Sequence, residues 1–158
     1  NKLMRKLFPL FILAISLTFF QSCKDRKVTT IDLNQDFRIG FYNVENLFDT
    51  LDNPDKFDDD FTPTGKLSWN TERYNKKLAS LDKVIGAIGY PTLLGVCEVE
   101  NEAVLKDLVS NNGMAKHDYG IVHFESPDKR GIDNGLLYQK KYFTVESSKK
   151  IPLEISFM

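Results

Sequence analysis

The sequence predicts an α/β protein with a mixed β-sheet and covering helices. Segments with strand-like apolar patterns interleave with two segments of helical periodicity in the order βαβα, and further paired strands follow. Hydrophobic residues make up 42% and charged residues 27% of the 158 residues, which is typical of a globular protein. Strands that alternate with helices favour a sheet with helices on one face.

The first strand is predicted at residues 38–44, where apolar side chains alternate along the chain, and we interpret it as a buried strand. Polar residues follow where this strand should end, among them Asn43, Glu45 and Asp49. Because ligands of α/β proteins bind at strand ends, these groups are candidates for a binding site.

A long acidic loop leads to the first helix, predicted at residues 71–88. One apolar stripe at spacings of three and four supports this helix. Asn70 or Thr71 can cap its start, and Gly89 ends it. The stripe consists of Tyr74, Leu78, Leu81, Ile85 and Ile88.

The second strand, residues 91–99, is apolar nearly throughout, so we expect it to be buried on both faces. Its Cys97 is interpreted as a small core residue. Asn101 can cap a second helix at residues 102–110. Later strands are predicted at 119–124, at 134–139 and 142–147 as a hairpin, and from 154 to the end of the sequence.

The first 22 residues have the parts of a secretory signal peptide: a basic start, an apolar run of 14 residues and a small residue before Cys23. Fourteen helical residues span roughly 21 Å, short of the ~30 Å bilayer core, which disfavours the alternative of a membrane helix. The end of this segment resembles the lipobox of bacterial lipoproteins. We therefore expect lipidation at Cys23, a polar tether at residues 23–36, and a lipid-anchored protein of the outer membrane or cell surface. A secreted protein is the alternative.

The charge balance differs between the targeting segment and the rest. Residues 1–22 hold three basic groups and no acidic group, so residues 23–158 hold 18 basic and 22 acidic groups. This acidic balance disfavours a basic surface that coats nucleic acid. No obligate protein partner is evident in the sequence.

Carboxylates at the end of the second strand point to a cation. In the stretch GVCEVEN the strand leads directly into Glu98 and Glu100. A carboxylate there costs free energy unless a partner offsets its desolvation, and Mg²⁺ is held by one or two carboxylates. We expect the Asn43 amide to orient Glu98. The alternative is that Glu98 is solvated and Asn43 caps a turn.

Three motifs in order, FYNVENLFD, GVCEVEN and DKRGIDNGLLY, resemble the endonuclease/exonuclease/phosphatase family of DNase-like metal-dependent phosphodiesterases, and lipoprotein members of bacteria in particular. The resemblance covers roughly residues 36–158. It implies that residues 37–158 are the N-terminal half of such a domain, about half of a four-layer α/β/β/α sandwich.

The resemblance also implies roles. Asn43 matches the catalytic asparagine beside the scissile phosphate, and Glu98 matches the ligand of Mg²⁺ or Mn²⁺, with Glu45 as a second acid of the metal site. We assign Arg130 and Asp133 to substrate binding. The alternative for Arg130 is an ion pair with Asp128 or Asp133.

The family completes its site with a Gly-Asp-x-Asn motif and a late Asp-His pair, and neither occurs in this sequence. We therefore expect a truncated metal-dependent hydrolase of phosphodiester or phosphomonoester bonds, inactive alone. Its substrate would be nucleic acid, a phospholipid headgroup or an inositol phosphate. The alternative is a short non-catalytic lipoprotein that binds phosphate-bearing or metal ligands.

Two other features are interpreted as structural. His123 lies in a predicted strand and is expected to be packed or hydrogen-bonded. The acidic stretch 52–60 could bind Ca²⁺, but it lacks the spacing and the glycine of an EF-hand, so we interpret it as a solvated loop.

Overall fold

The computed structural model describes residues 36–152. Within this range the chain forms a four-stranded mixed sheet with two α-helices, which confirms the predicted α/β class. The strands are β1 (Ile39–Leu47), β2 (Leu93–Val99), β3 (Tyr119–Phe124) and β4 (Asp133–Gln139), and the helices are α1 (Thr71–Ala87) and α2 (Glu102–Val109). Short 3-10 helices occupy Asp59–Phe61 and Met114–His117.

The strand order across the sheet is β1-β2-β4-β3. β1 and β2 are parallel, while β4 runs antiparallel to both β2 and β3. In consequence the ends of β1, β2 and β3 and the beginning of β4 all lie at one edge of the sheet. The loops that the sequence marked as candidate sites therefore meet at this edge.

Local signals explain both helices. The Asn70 side chain accepts a hydrogen bond of 3.0 Å from a backbone N–H in the first turn of α1, and Asn101 does the same for α2. Gly89 follows α1 with φ +80°, a conformation that glycine adopts without strain. The predicted stripe of α1 is buried except for Ile88, which is 48% exposed.

The hydrophobic core lies between the two helices and one face of the sheet. We call this covered side the helix face. Its fully buried members include Leu94 and Val96 of β2, Leu137 of β4, and Leu105 and Leu108 of α2. Burial of this apolar surface is the main favourable contribution to the fold, at about 25 cal/mol per Å².

The opposite side, here called the open face, carries apolar side chains that stay exposed within residues 36–152. Ile39 is 78% exposed and Phe41 is 74% exposed, so the expectation that β1 is a buried strand is wrong for this face. The expectation that β2 is buried on both faces is also only half met, because Leu93 and Cys97 are half-buried. Burial raises the pKa of the Cys97 thiol.

The predicted strand at residues 142–147 is not formed, so the predicted hairpin is wrong. After β4 the chain turns, with the Tyr142 and Phe143 N–H groups donating to the Gln139 carbonyl at 3.0 and 3.2 Å. The Tyr142 and Phe143 rings then pack against the Phe37 ring, with centroids 5.7 and 5.8 Å away. This aromatic contact takes the place of strand pairing.

Several expectations fall outside the described residues: the signal peptide, Cys23, nearly all of the tether, and the last predicted strand. In the range 36–152, no helix has both the length and the apolar character needed to cross a membrane. β1 continues three residues beyond its predicted end at Val44, through an irregular segment that shapes the candidate site.

Candidate functional site

Asn43 and Glu98 meet where the two parallel strands end. The Asn43 Nδ2 donates a hydrogen bond of 2.9 Å to Glu98 Oε1. The Asn43 Oδ1 accepts one of 2.7 Å from the Glu45 backbone N–H, which closes a tight turn. The two residues that the sequence paired are thus in direct contact, 55 positions apart in the chain.

The backbone at this edge is irregular in both strands. The β1–β2 pairing shifts register between Asn43 and Leu47, and the β2–β4 pairing shifts between Cys97 and Val99. Glu98 has φ +62° and Glu45 has φ +56°, values that cost a non-glycine residue on the order of 1–3 kcal/mol. Such bulges re-aim side chains and cluster beside active sites.

The donor atoms of this edge suit a hard cation. One Glu98 oxygen accepts from Asn43, which leaves the second oxygen to bind a ligand. Mg²⁺ is held by one or two carboxylates together with water and substrate phosphate. Glu45 is exposed beside this pair. Neither glutamate belongs to a cluster of three or more His, Cys, Asp or Glu donors within residues 36–152.

Glu100 supports the site from inside the protein. Glu100 is only 8% exposed, and its Oε2 accepts a hydrogen bond of 2.6 Å from the Asp49 N–H. Burial raises the pKa of the Glu100 carboxyl to about 7. Glu100 therefore fastens the segment after β1 to the end of β2, a role that the sequence did not reveal.

Arg130 forms the ion pair that the sequence left open as its alternative. Its Nη2 and Nε contact the Asp128 carboxylate at 2.8 and 3.2 Å. This contact lowers the pKa of Asp128 to about 2 and raises that of Arg130, with a smaller contribution from the Glu98 carboxylate. The guanidinium is thus oriented by Asp128 and lies within electrostatic reach of Glu98.

A lysine joins two of the loops at this edge, and sequence reasoning missed it. The Lys56 Nζ donates to the Asp128 carbonyl at 3.2 Å, and the neighbouring Phe57 N–H donates to the Lys129 carbonyl at 2.8 Å. The long acidic loop is therefore attached to the loop that carries Arg130. No sequence signal indicated this contact, because it depends on tertiary structure.

Asp133 is buried at the start of β4. Its assignment to substrate binding stays a prediction. Its Oδ2 lies 2.9 Å from His123 Nε2, and its Oδ1 accepts a hydrogen bond of 2.6 Å from the Ser126 N–H. The side chains of His123 and Asp133 are 4% and 0% exposed. The expectation of a hydrogen-bonded His123 agrees with this geometry, although its partner was not foreseen.

The acidic loop shows a single buried carboxylate within the stretch 52–60. Asp58 accepts hydrogen bonds from the Asn53 N–H at 3.2 and 3.4 Å, and burial raises its pKa. Asp52, Asp59 and Asp60 are exposed, as expected for a solvated loop.

A mixed α/β sheet with an amide–carboxylate pair where its parallel strands end has the arrangement of an α/β ligand-binding or enzyme domain. Comparison with protein-family models identifies the family: the endonuclease/exonuclease/phosphatase family model matches residues 38–156. The chain belongs to this family, whose membership implies a phosphoesterase-like hydrolase. Searches of curated proteins and of solved structures gave no match.

Proposed function

We propose that this chain provides the metal-binding and phosphate-binding part of a metal-dependent hydrolase of phosphodiester or phosphomonoester bonds. The observation that carries the proposal is the 2.9 Å contact between Asn43 and Glu98 at the strained edge of the sheet. Family membership supplies the hydrolase class. The substrate is a phosphate ester of nucleic acid, a phospholipid headgroup or an inositol phosphate.

Glu98, with Glu45 as a second acid, is the proposed holder of Mg²⁺ or Mn²⁺. When bound, such a cation neutralises phosphate charge and stabilises charge on the leaving oxygen. Asn43 holds the Glu98 carboxylate through one amide hydrogen, and the second hydrogen of its NH₂ group is available to a phosphate oxygen. One side chain thereby positions both the metal ligand and the ester.

Arg130 is the proposed contact for a second phosphate oxygen. Its Nε and Nη2 are engaged by Asp128, so the remaining donors of its guanidinium, on Nη1 above all, face the substrate in this proposal. Because the side chain is 66% exposed, screening by water weakens each such contact, and Arg130 serves orientation more than affinity.

A lipid anchor at Cys23 is proposed for the full chain, which would place the site at the cell envelope, on the outer membrane or the cell surface. The support is the signal-like segment of residues 1–22. Metabolic labelling with an alkyne fatty acid should mark the protein, and Cys23→Ala should abolish the label. A chain released unlabelled into the medium would favour simple secretion instead.

Binding is the direct test of the metal site. We expect the purified chain to bind Mn²⁺, followed by electron paramagnetic resonance, and Glu98→Gln to weaken that binding about tenfold or more. Glu146→Gln, an exposed carboxylate outside the site, is the matched control and should bind as the parent chain does. Equal Mn²⁺ affinity in the Glu98→Gln and parent chains would remove the metal site from the proposal.

Turnover is a separate question from binding. The sequence contains no Gly-Asp-x-Asn motif, so we propose that the chain binds metal and phosphate ester without hydrolysing the ester. Incubation with bis(p-nitrophenyl) phosphate and Mg²⁺ should release no nitrophenol above background. Sustained release that Glu98→Gln abolishes would show that the chain is itself a complete hydrolase.

A further inference from the structure

The geometry points to a second metal site, for a transition metal of the Zn²⁺ class, formed by His123, Glu125 and Asp133. One donor atom from each of these three side chains lies within 4.8 Å of the others. This is the sole cluster of three or more His, Cys, Asp or Glu donors among the residues that the structure describes.

The second site is distinct from the Asn43–Glu98 pair. Asn43, Cys97, Asn134 and Phe124 form one row of paired residues across the sheet. His123 and Asp133 are each one position away from that row on regular strands. Because successive side chains of a strand point to opposite faces, these two lie on the helix face, whereas Asn43 lies on the open side.

The donor separations fit one small cation. The His123 Nε2 and Asp133 Oδ2 are 2.9 Å apart, a spacing that two ligands of a single metal can have with bonds of about 2.0–2.2 Å. In tetrahedral coordination such bonds place the donors about 3.3–3.6 Å apart, so the Glu125 oxygen, within 4.8 Å of the other two donors, needs to move by roughly 1 Å or somewhat more. Its side chain is 61% exposed and has the freedom to do so.

The surroundings orient Asp133 as a ligand. Its second oxygen is held by the Ser126 N–H at 2.6 Å, and the Ser126 hydroxyl donates to the Ile132 carbonyl at 2.8 Å. Hydrogen bonds of this kind, one shell beyond the ligands, fix carboxylate orientation at metal sites. His123 and Asp133 are almost completely buried, whereas the exposed Glu125 keeps one side of the site open to solvent.

Metal binding changes the state of the histidine in a defined way. To bind a metal through Nε2, His123 would be in the neutral form that carries its single ring proton on Nδ1. The Asp133 Oδ2, which lies 2.9 Å from Nε2, would then bind the cation in place of its contact with the imidazole. Three protein ligands leave a fourth position for water.

Two nearby charges act on the site with opposite signs. Lys56 Nζ lies 3.9 Å from the Glu125 carboxylate and competes for it. Glu102 in the first turn of α2 adds negative charge near His123, and that contact makes a minor contribution to the lowered pKa of Glu102, after the larger one from Lys106. An imidazole with two carboxylates favours Zn²⁺ over Mg²⁺, which prefers oxygen ligands alone.

The two histidines of the sequence provide a matched pair for the test. Zn²⁺ is titrated into the full chain by calorimetry with millimolar Mg²⁺ present. We expect one Zn²⁺ per chain, with His123→Gln weakening binding about tenfold or more. His117→Gln is the control, because His117 stacks on the Tyr90 ring at 4.3 Å and should leave Zn²⁺ binding unchanged.

Two further variants keep the result interpretable. Glu125→Gln alters a mostly exposed side chain, so the fold should persist while Zn²⁺ affinity falls, even if His123→Gln fails to fold. Glu98→Gln should retain Zn²⁺ binding, which separates this site from the proposed hydrolase site. The second site would be overturned if the parent chain bound no Zn²⁺. It would also be overturned if the Glu125→Gln chain and any folded His123→Gln chain bound Zn²⁺ as well as the parent chain does.

Discussion

The two faces of the sheet use apolar side chains in opposite ways. On the helix face Leu94, Val96 and Leu137 are fully buried. On the open face Ile39 and Phe41 are more than 70% exposed within the described part of the chain. Strand alternation therefore separates two sets of apolar residues of similar composition, and only the set beneath the helices contributes much to stability.

At the edge where β1, β2 and β3 end, the polar side chains also divide between these two faces. Asn43 belongs to the open side, where solvent and ligands have access, and His123 and Asp133 belong to the helix side, where they are buried. An exposed amide–carboxylate pair can bind a hydrated hard cation and a phosphate. A buried imidazole–carboxylate pair suits a tightly held transition metal.

The largest expected difference in stability between the two faces concerns two neighbouring leucines of β4. Leu137 is fully buried and Leu136 is 39% exposed. We expect Leu137→Ala to lower the free energy of unfolding by about 2–5 kcal/mol, because it removes buried methyl groups and leaves a cavity. Leu136→Ala should cost less than about 1 kcal/mol. Urea unfolding followed by the fluorescence of Trp69, the single tryptophan, measures both; equal costs would mean that the open face is packed in solution.

Because Glu100 is buried at the edge of the sheet, we expect it to make the stability of the chain depend on pH. Its folded pKa of about 7 lies above the ordinary value of 4.5, mainly because of burial. A raised carboxyl pKa contributes stability below pH 4.5, and this contribution is lost as the pH rises towards 7. The parent chain should lose on the order of 2–3 kcal/mol between pH 4.5 and pH 7.5 relative to Glu100→Gln, as measured by urea unfolding without metal.

Glu102 is the exposed counterpart for that experiment. Its carboxylate lies 2.8 Å from Lys106, and this contact lowers its pKa. Its small contribution therefore has the opposite sign: it is present above pH 4.5 and lost as the pH falls. A Glu102→Gln chain should keep the parent's loss of stability towards neutral pH, and a Glu100→Gln chain that also keeps it would remove Glu100 as the cause.

Local signals made the helices predictable. The stripe of α1 and the caps Asn70 and Asn101 act over a few residues, so the sequence alone specifies them. The failed strand at residues 142–147 had an equally good local pattern. Its rings instead contact Phe37, about one hundred residues away in the chain, and no local pattern encodes that contact.

The candidate site was predictable only in its parts. Asn43 and Glu98 could be paired because parallel neighbouring strands bring their carboxyl ends together. The irregular segment at Glu98, with Glu100 buried two residues later, depends on how β2 pairs with β4. The residue with positive φ there is a glutamate, so no glycine in the sequence indicates the irregularity. The His123–Asp133 contact depends likewise on how the loop between β3 and β4 closes.

The smallest expected effect concerns an exposed residue of the open face. Ile39→Thr keeps a β-branched side chain in β1 and should change the free energy of unfolding by less than about 0.5 kcal/mol, because Ile39 is 78% exposed. The same replacement at Val44, which is fully buried on the helix face, should cost about 1–3 kcal/mol, because it buries a hydroxyl. Exposed apolar patches bind other apolar groups, including the dye ANS. Ile39→Thr should therefore also reduce ANS binding, measured by fluorescence. If Ile39→Thr destabilised the chain as much as Val44→Thr, β1 would be buried on both sides in solution and the contrast between the faces would fail.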